Sequence, residues 1–178
     1  MRTPGPAVAV ALLCALLACA GPLRRTPDGR FHHDRHHYTI AAPPTVSGVT
    51  WKRVDVDGAD LAFRGSDTSL LTVMSECRPV GEARASLLAR QLLIGIDERQ
   101  RVESHPVALH GDPGWMQVFR TLDGRREVEV RSVTIRGGRC VFDMLWVGPP
   151  GAPGADAFDG WWSSFQRDRS AERGGTAS

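Results

Sequence analysis

The sequence predicts an α+β fold, a single antiparallel β-sheet packed with two helices. Three observations predict it. Short runs of alternating polar and apolar residues recur along the chain, separated by glycine-containing turns. Two segments, one in mid-chain and one near the end, switch to helical spacing. Between those helices the strand-like runs follow one another through tight turns, and such turns join antiparallel neighbours.

The elements follow in order. Residues 37–41 (HYTIA) and 51–56 (WKRVDV) alternate as half-buried strands, and residues 59–64 and 69–77 form a hairpin joined through Gly65-Ser66-Asp67. Over residues 82–96 the period lengthens: Leu88, Leu92 and Ile96 share one side, Leu87 and Ile94 widen it, and Pro79 and Gly95 stand near the ends. Strands are predicted again over 101–109, 115–122 and 127–136. The Leu122-Asp123-Gly124 turn supplies a glycine for the positive φ of a tight hairpin. The strand 139–147 is introduced by Gly137-Gly138 and stopped by Gly148-Pro149-Pro150-Gly151. A last helix over 155–167 spaces Phe158, Trp161, Trp162 and Phe165 as core anchors.

Ahead of this body, residues 1–18 read as a signal peptide. Met1-Arg2 is a minimal basic start, and residues 7–18 (AVAVALLCALLA) form an apolar run too short for the roughly 20 residues that span a bilayer. The run closes on Leu16-Leu17-Ala18-Cys19, then Ala20-Gly21-Pro22, which resembles the lipobox of bacterial lipoproteins, with Leu17 bulkier than usual. The resemblance implies acylation of Cys19, which becomes the mature N-terminus, and a membrane partner through that lipid anchor. Ala20 in place of aspartate resembles the signal for the outer membrane, facing the periplasm. The competing reading is an incidental cysteine beside an ordinary cleavage site. Residues 19–36 are expected as a flexible tether, whose Arg24, Arg25 and Arg30 face anionic headgroups. The folded domain is expected over 37–167, about 130 residues and enough for one core, with a disordered tail over 168–178.

Cys77 and Cys140 remain in the body, each inside a predicted strand of an exported domain, and are expected to pair. The alternative is two separate buried thiols acting as small hydrophobes. The order of elements resembles the Mog1/PsbP-like fold, an α/β/α sandwich. The residues that carry the likeness are 87–95, Leu122-Asp123-Gly124, Cys140-Val141-Phe142-Asp143 and Trp162-Ser163-Ser164-Phe165. The layout is also similar to that of small lipoproteins of high-GC Gram-negative bacteria, with a cysteine in the same two strands. The superfamily resemblance implies a binding or assembly module without catalytic residues, and it transfers no site residues.

The net charge of +2 excludes a strong nucleic-acid footprint. The sequence has no HExxH, GxSxG, CxxC, P-loop or dinucleotide-binding glycine pattern, so neither an enzyme nor a cofactor is expected. Asp143, between Phe142 and Met144, is expected to be partly buried in a structural ion pair with a partner such as Arg120 or Arg131, the competing reading being a catalytic acid. His105 and His110 read as surface or loop histidines.

The stretch RFHHDRHH concentrates His32, His33, His36 and His37 around Asp34. These groups are candidate ligands for Zn²⁺, Cu²⁺ or Ni²⁺. On an extended chain His32 and His36 would share one side and His33 and His37 the other, without the supporting contacts a specific site needs. Weak adventitious binding, or a pH response of four imidazoles near a membrane, competes with that reading. Two functions follow: a membrane-anchored envelope lipoprotein acting as a non-catalytic interaction or assembly module with an envelope protein partner, or a small-ligand or metal-binding lipoprotein using a sheet–helix cleft or the histidine tract.

Overall fold

The computed structural model describes residues 22–78, 83–92, 94 and 99–169. Cys19 with its lipobox, the signal peptide 1–18, the tail beyond residue 169 and the predicted ends of the first helix lie outside the described residues. Among the described residues, eleven strands and two helices run in the order β1 (Leu23–Arg25), β2 (Phe31–His33), β3 (Tyr38–Ile40), β4 (Trp51–Val54), β5 (Leu61–Gly65), β6 (Leu70–Cys77), α1 (Ala85–Gln91), β7 (Gln100–Leu109), β8 (Asp112–Asp123), β9 (Arg126–Gly137), β10 (Cys140–Gly148), α2 (Ala155–Trp162) and β11 (Gln166–Arg167). None of the described helices is long and apolar enough to cross a membrane.

The strands form two antiparallel sheets rather than the single one predicted. A seven-stranded sheet has the order β4-β5-β6-β10-β9-β8-β7, and a four-stranded one has the order β1-β2-β3-β11. The stretch expected as a tether supplies half of the small sheet, and its Phe31 and His33 are buried. Composition hid these strands because each is three residues long, too short to show an alternation. The last predicted helix ends at Trp162; the chain then turns, and β11 pairs with β3. Asp168 and Arg169, expected in the tail, are tied down: the Asp168 N–H donates to the His37 carbonyl at 2.7 Å, and Arg169 pairs with Asp112 at 3.3 Å.

Alternation in β10 explains the layering. Phe142, Met144 and Trp146 are fully buried against one side, where Val133 and Ile135 of β9 and Leu71 and Val73 of β6 join them. The small sheet and α2 close this side with rings: Tyr38, Phe142 and Phe165 meet with centroids 4.9–5.7 Å apart, and Phe63 lies edge-on to Phe31 and Trp161. The opposite side carries Asp143, Leu145 and Val147, with Phe119 and Val130 as a smaller apolar cluster. Here α1 packs through Ala85 and Ala89, and the buried Gln117 amide donates to the Ala89 carbonyl at 2.8 Å.

Two local devices fix the ends of the main core. Asp67, in the β5–β6 turn, accepts from the Ser69 hydroxyl at 2.5 Å and from the Gly154 N–H at 2.8 Å, so one carboxylate closes the turn and ties it to the residue just ahead of α2. Gly154 has no room for a side chain, because a Cβ there would lie 2.5 Å from Ser69 Oγ and 2.6 Å from the Asp67 carboxylate. At the far end Cys77 of β6 and Cys140 of β10 stand directly opposite and form a disulfide across a sequence separation of 63, enclosing α1 and β7–β9.

Candidate functional site

The densest polar cluster among the described residues sits where the β2–β3 turn meets the edge of the main core. The residues after β2 do not continue extended. His37 takes a left-handed conformation with φ of 52°, its N–H donates to the His33 carbonyl at 2.9 Å, and the His36 N–H donates to His33 Nδ1 at 2.9 Å. This tight turn lays His36 flat on His33, with ring centroids 4.5 Å apart and planes 19° from parallel; Tyr38 also stacks on His33, at 5.2 Å. The expected alternation of His32 with His36 and His33 with His37 is therefore overturned, because it assumed a straight strand.

The large sheet supplies the rest. Asp60, just ahead of β5, places Oδ1 3.7 Å from His33 Nε2, and its Oδ2 accepts from the Tyr38 hydroxyl at 3.3 Å and from Ser75. Ser75 Oγ also lies 2.5 Å from His36 Nδ1. Since the Ser75 proton goes to the carboxylate, His36 Nδ1 carries its own proton and donates to Ser75. Since His33 Nδ1 accepts the turn N–H, the proton of His33 sits on Nε2 and faces Asp60. Burial holds His33 below the usual histidine range, against the opposing pull of Asp60. Burial, followed by the charge and hydrogen bond of Asp60, keeps the Tyr38 hydroxyl protonated far above the usual tyrosine range.

The histidine tract is thus divided. His33 and His36 meet Asp60, one ligand atom from each lying within 4.8 Å of the others. His32 turns instead to Asp34 at 3.2 Å, where Arg24 also pairs at 2.9 Å. His37 belongs to the turn backbone. Asp60 and Ser75 were missed by sequence reasoning, since they lie far along the chain. The one available signal was Ser75, a polar residue at an inward position of β6 between Val73 and Cys77. Of the arginines expected at headgroups, Arg30 points inward and donates to the Ser164 carbonyl at 2.6 Å, while Arg25 lies over the Phe31 ring at 6.0 Å.

A second polar feature lies under α1, where Glu76, Arg78, Leu88, Leu92, Val141 and Asp143 line a cleft of about 470 Å³. Asp143 is not in the predicted ion pair. Its partner is the Thr134 hydroxyl at 2.5 Å, and Arg120 and Arg131 bind Glu129 instead, at 3.3 and 2.9 Å. Register explains this: Arg131 lies opposite Trp146, on the sheet side away from Asp143. Burial pushes the Asp143 carboxyl up to about 6, with Thr134 opposing and Glu76 adding to the rise.

The two sheets and two helices of the described residues have a PsbP-like α+β fold. The structure is similar to the solution structure of cyanobacterial PsbP (CyanoP) from Synechocystis sp. PCC 6803, with a TM-score of 0.59 and 15% identity over 94% of this chain and 99% of that one. It is also similar to LpqN, involved in cell envelope biogenesis of Mycobacterium tuberculosis, with a TM-score of 0.50 and 13% identity over 78% and 88% of the two chains. No protein-family model and no curated protein matches the sequence.

Proposed function

We propose that this protein is an envelope lipoprotein, acylated at Cys19 after removal of residues 1–18, whose PsbP-like domain is a non-catalytic interaction or assembly module at the periplasmic side of the outer membrane. The observation that carries the reading is where folding begins. Only three residues, Ala20, Gly21 and Pro22, separate Cys19 from β1. Four backbone steps reach about 14 Å at most, so a lipid on Cys19 holds the domain against the bilayer instead of standing it off on a tether. Two or three acyl chains make such attachment durable. The similarity to LpqN, described as acting in cell envelope biogenesis, supports the same compartment.

A module of this kind needs a surface for its partner. Leu87, Ile94 and Val102 are large, apolar and exposed, and all three belong to the α1–β7 side; β7 is also an open edge strand of ten residues. Cell fractionation of Cys19→Ser tests the anchor: the variant is expected to leave the membrane fraction. A variant that still sediments with membranes, or a native chain found in the cytosol, overturns the reading. Photo-crosslinkers at Leu87 and Val102 are expected to capture one envelope protein in stoichiometric yield, and crosslinkers at Arg53 to capture none.

A further inference from the structure

We propose that His33, His36 and Asp60 form a binding site for one divalent transition-metal ion of the zinc type, distinct from the histidine tract as a linear motif. The inference rests on the cluster alone and needs neither the lipid anchor nor a protein partner. Two imidazoles and one carboxylate, with ligand atoms within 4.8 Å of one another, are the donor set of open three-ligand sites. Imidazole donors select a borderline ion over Ca²⁺ or Mg²⁺, which prefer oxygen alone. Two of the three groups are fixed by the core and the third is placed beside them: His33 ends the buried strand β2, Asp60 is held by Tyr38 and Ser75, and His36, stacked on His33, tilts from Ser75 toward the ion. Ser75 Oγ lies beside the set and orients the carboxylate.

Loading has a defined proton balance. His33 coordinates through Nε2, which now carries its proton, so that proton moves to Nδ1. His36 coordinates through Nδ1, and its proton moves to Nε2. Both rings stay neutral and no net proton is released. A protonated His33 Nδ1 no longer accepts the His36 N–H, so metal binding and that turn bond exclude each other. Coordination through His36 Nδ1 also gives up the bond that this nitrogen donates to Ser75, so two neutral hydrogen bonds are lost against three metal–ligand bonds gained. The ion would join the β2–β3 turn to the large sheet at Asp60, clasping the segment nearest Cys19 onto the body.

The test uses the full chain, stripped with a chelator and titrated with Zn²⁺ against a competing chromophoric chelator. One ion per chain is expected, with a dissociation constant below about 10 μM. Asp60→Asn and His36→Ala are each expected to weaken binding at least about tenfold, whereas His32→Ala and His37→Ala leave it within about twofold. In ¹H–¹⁵N spectra the His36 amide is expected to shift on saturation, and Co²⁺ to give the absorption of a four-coordinate ion. The proposal is overturned by the absence of stoichiometric binding, or by binding that falls with His32→Ala and His37→Ala but survives Asp60→Asn. Should Asp60→Asn fail to fold, His36→Gln, at the half-buried turn, is judged by the same criterion.

Discussion

On one side of the seven-stranded sheet, Phe142, Met144 and Trp146 meet the small sheet and α2 through stacked and edge-on rings; on the other, Asp143, Leu145 and Val147 of the same strand lie toward a helix of only seven residues. The first side is sealed by large, fully buried side chains. The second keeps a cleft, buried hydroxyls on Ser132 and Thr134, and a carboxyl with one hydrogen bond to hold it. Stability is therefore concentrated on one face, which leaves the other free to carry polar groups and exposed apolar ones.

The largest losses are expected on the sealed side. Phe142→Ala removes the ring that both Tyr38 and Phe165 touch, and is expected to cost about 3–5 kcal/mol in denaturant unfolding. A cost below about 1 kcal/mol would mean that this side relaxes as easily as the other. Next comes the disulfide, which ties β6 to β10 around the whole α1-to-β9 segment. Replacing both Cys77 and Cys140 by serine is expected to lower stability by about 2–4 kcal/mol, read as the drop in Tm, with added reductant reproducing the drop in the native chain.

A smaller effect is expected on the open side. Asp143 titrates at about 6 when folded and near 3.8 when not, so between these values the folded state holds more protons. Stability contributed by the neutral acid is present at low pH and is lost as pH rises through about 6. Asp143→Asn is thus expected to raise stability at pH 7 by about 1–3 kcal/mol and to leave it nearly unchanged at pH 3.5. Urea unfolding at the two pH values checks both the sign and the window. An equal change at both would place the effect in packing under α1 rather than in charge.

Most of the large sheet was legible from the residues, and the reason is local. β6 through β10 are long enough to alternate, and turns such as Asp123-Gly124 need glycine for its positive φ. Phe158, Trp161 and Phe165 announced the core at the end of the chain. The small sheet was not legible, because β1, β2 and β11 have two or three residues each and gain their stability from partners distant in the chain. The site was half legible. The histidines stood out, but which two of the four would face each other depended on one residue, His37, taking a left-handed turn, and their carboxylate partner lay beyond the reach of any spacing rule.

By itself the sequence determined the long strands of the large sheet, the two helical segments and the aromatic anchors of the last helix, since each follows from periodicity or residue type along a short window; it offered Cys77 and Cys140 as a pair but left two separate thiols open. Only the tertiary structure decided that the expected tether is part of a second sheet, that Asp143 faces Thr134 rather than an arginine, and that His33 and His36 meet Asp60. Those outcomes depend on register and on long-range packing, where the free energy of a contact is set by what else the fold brings to the same place.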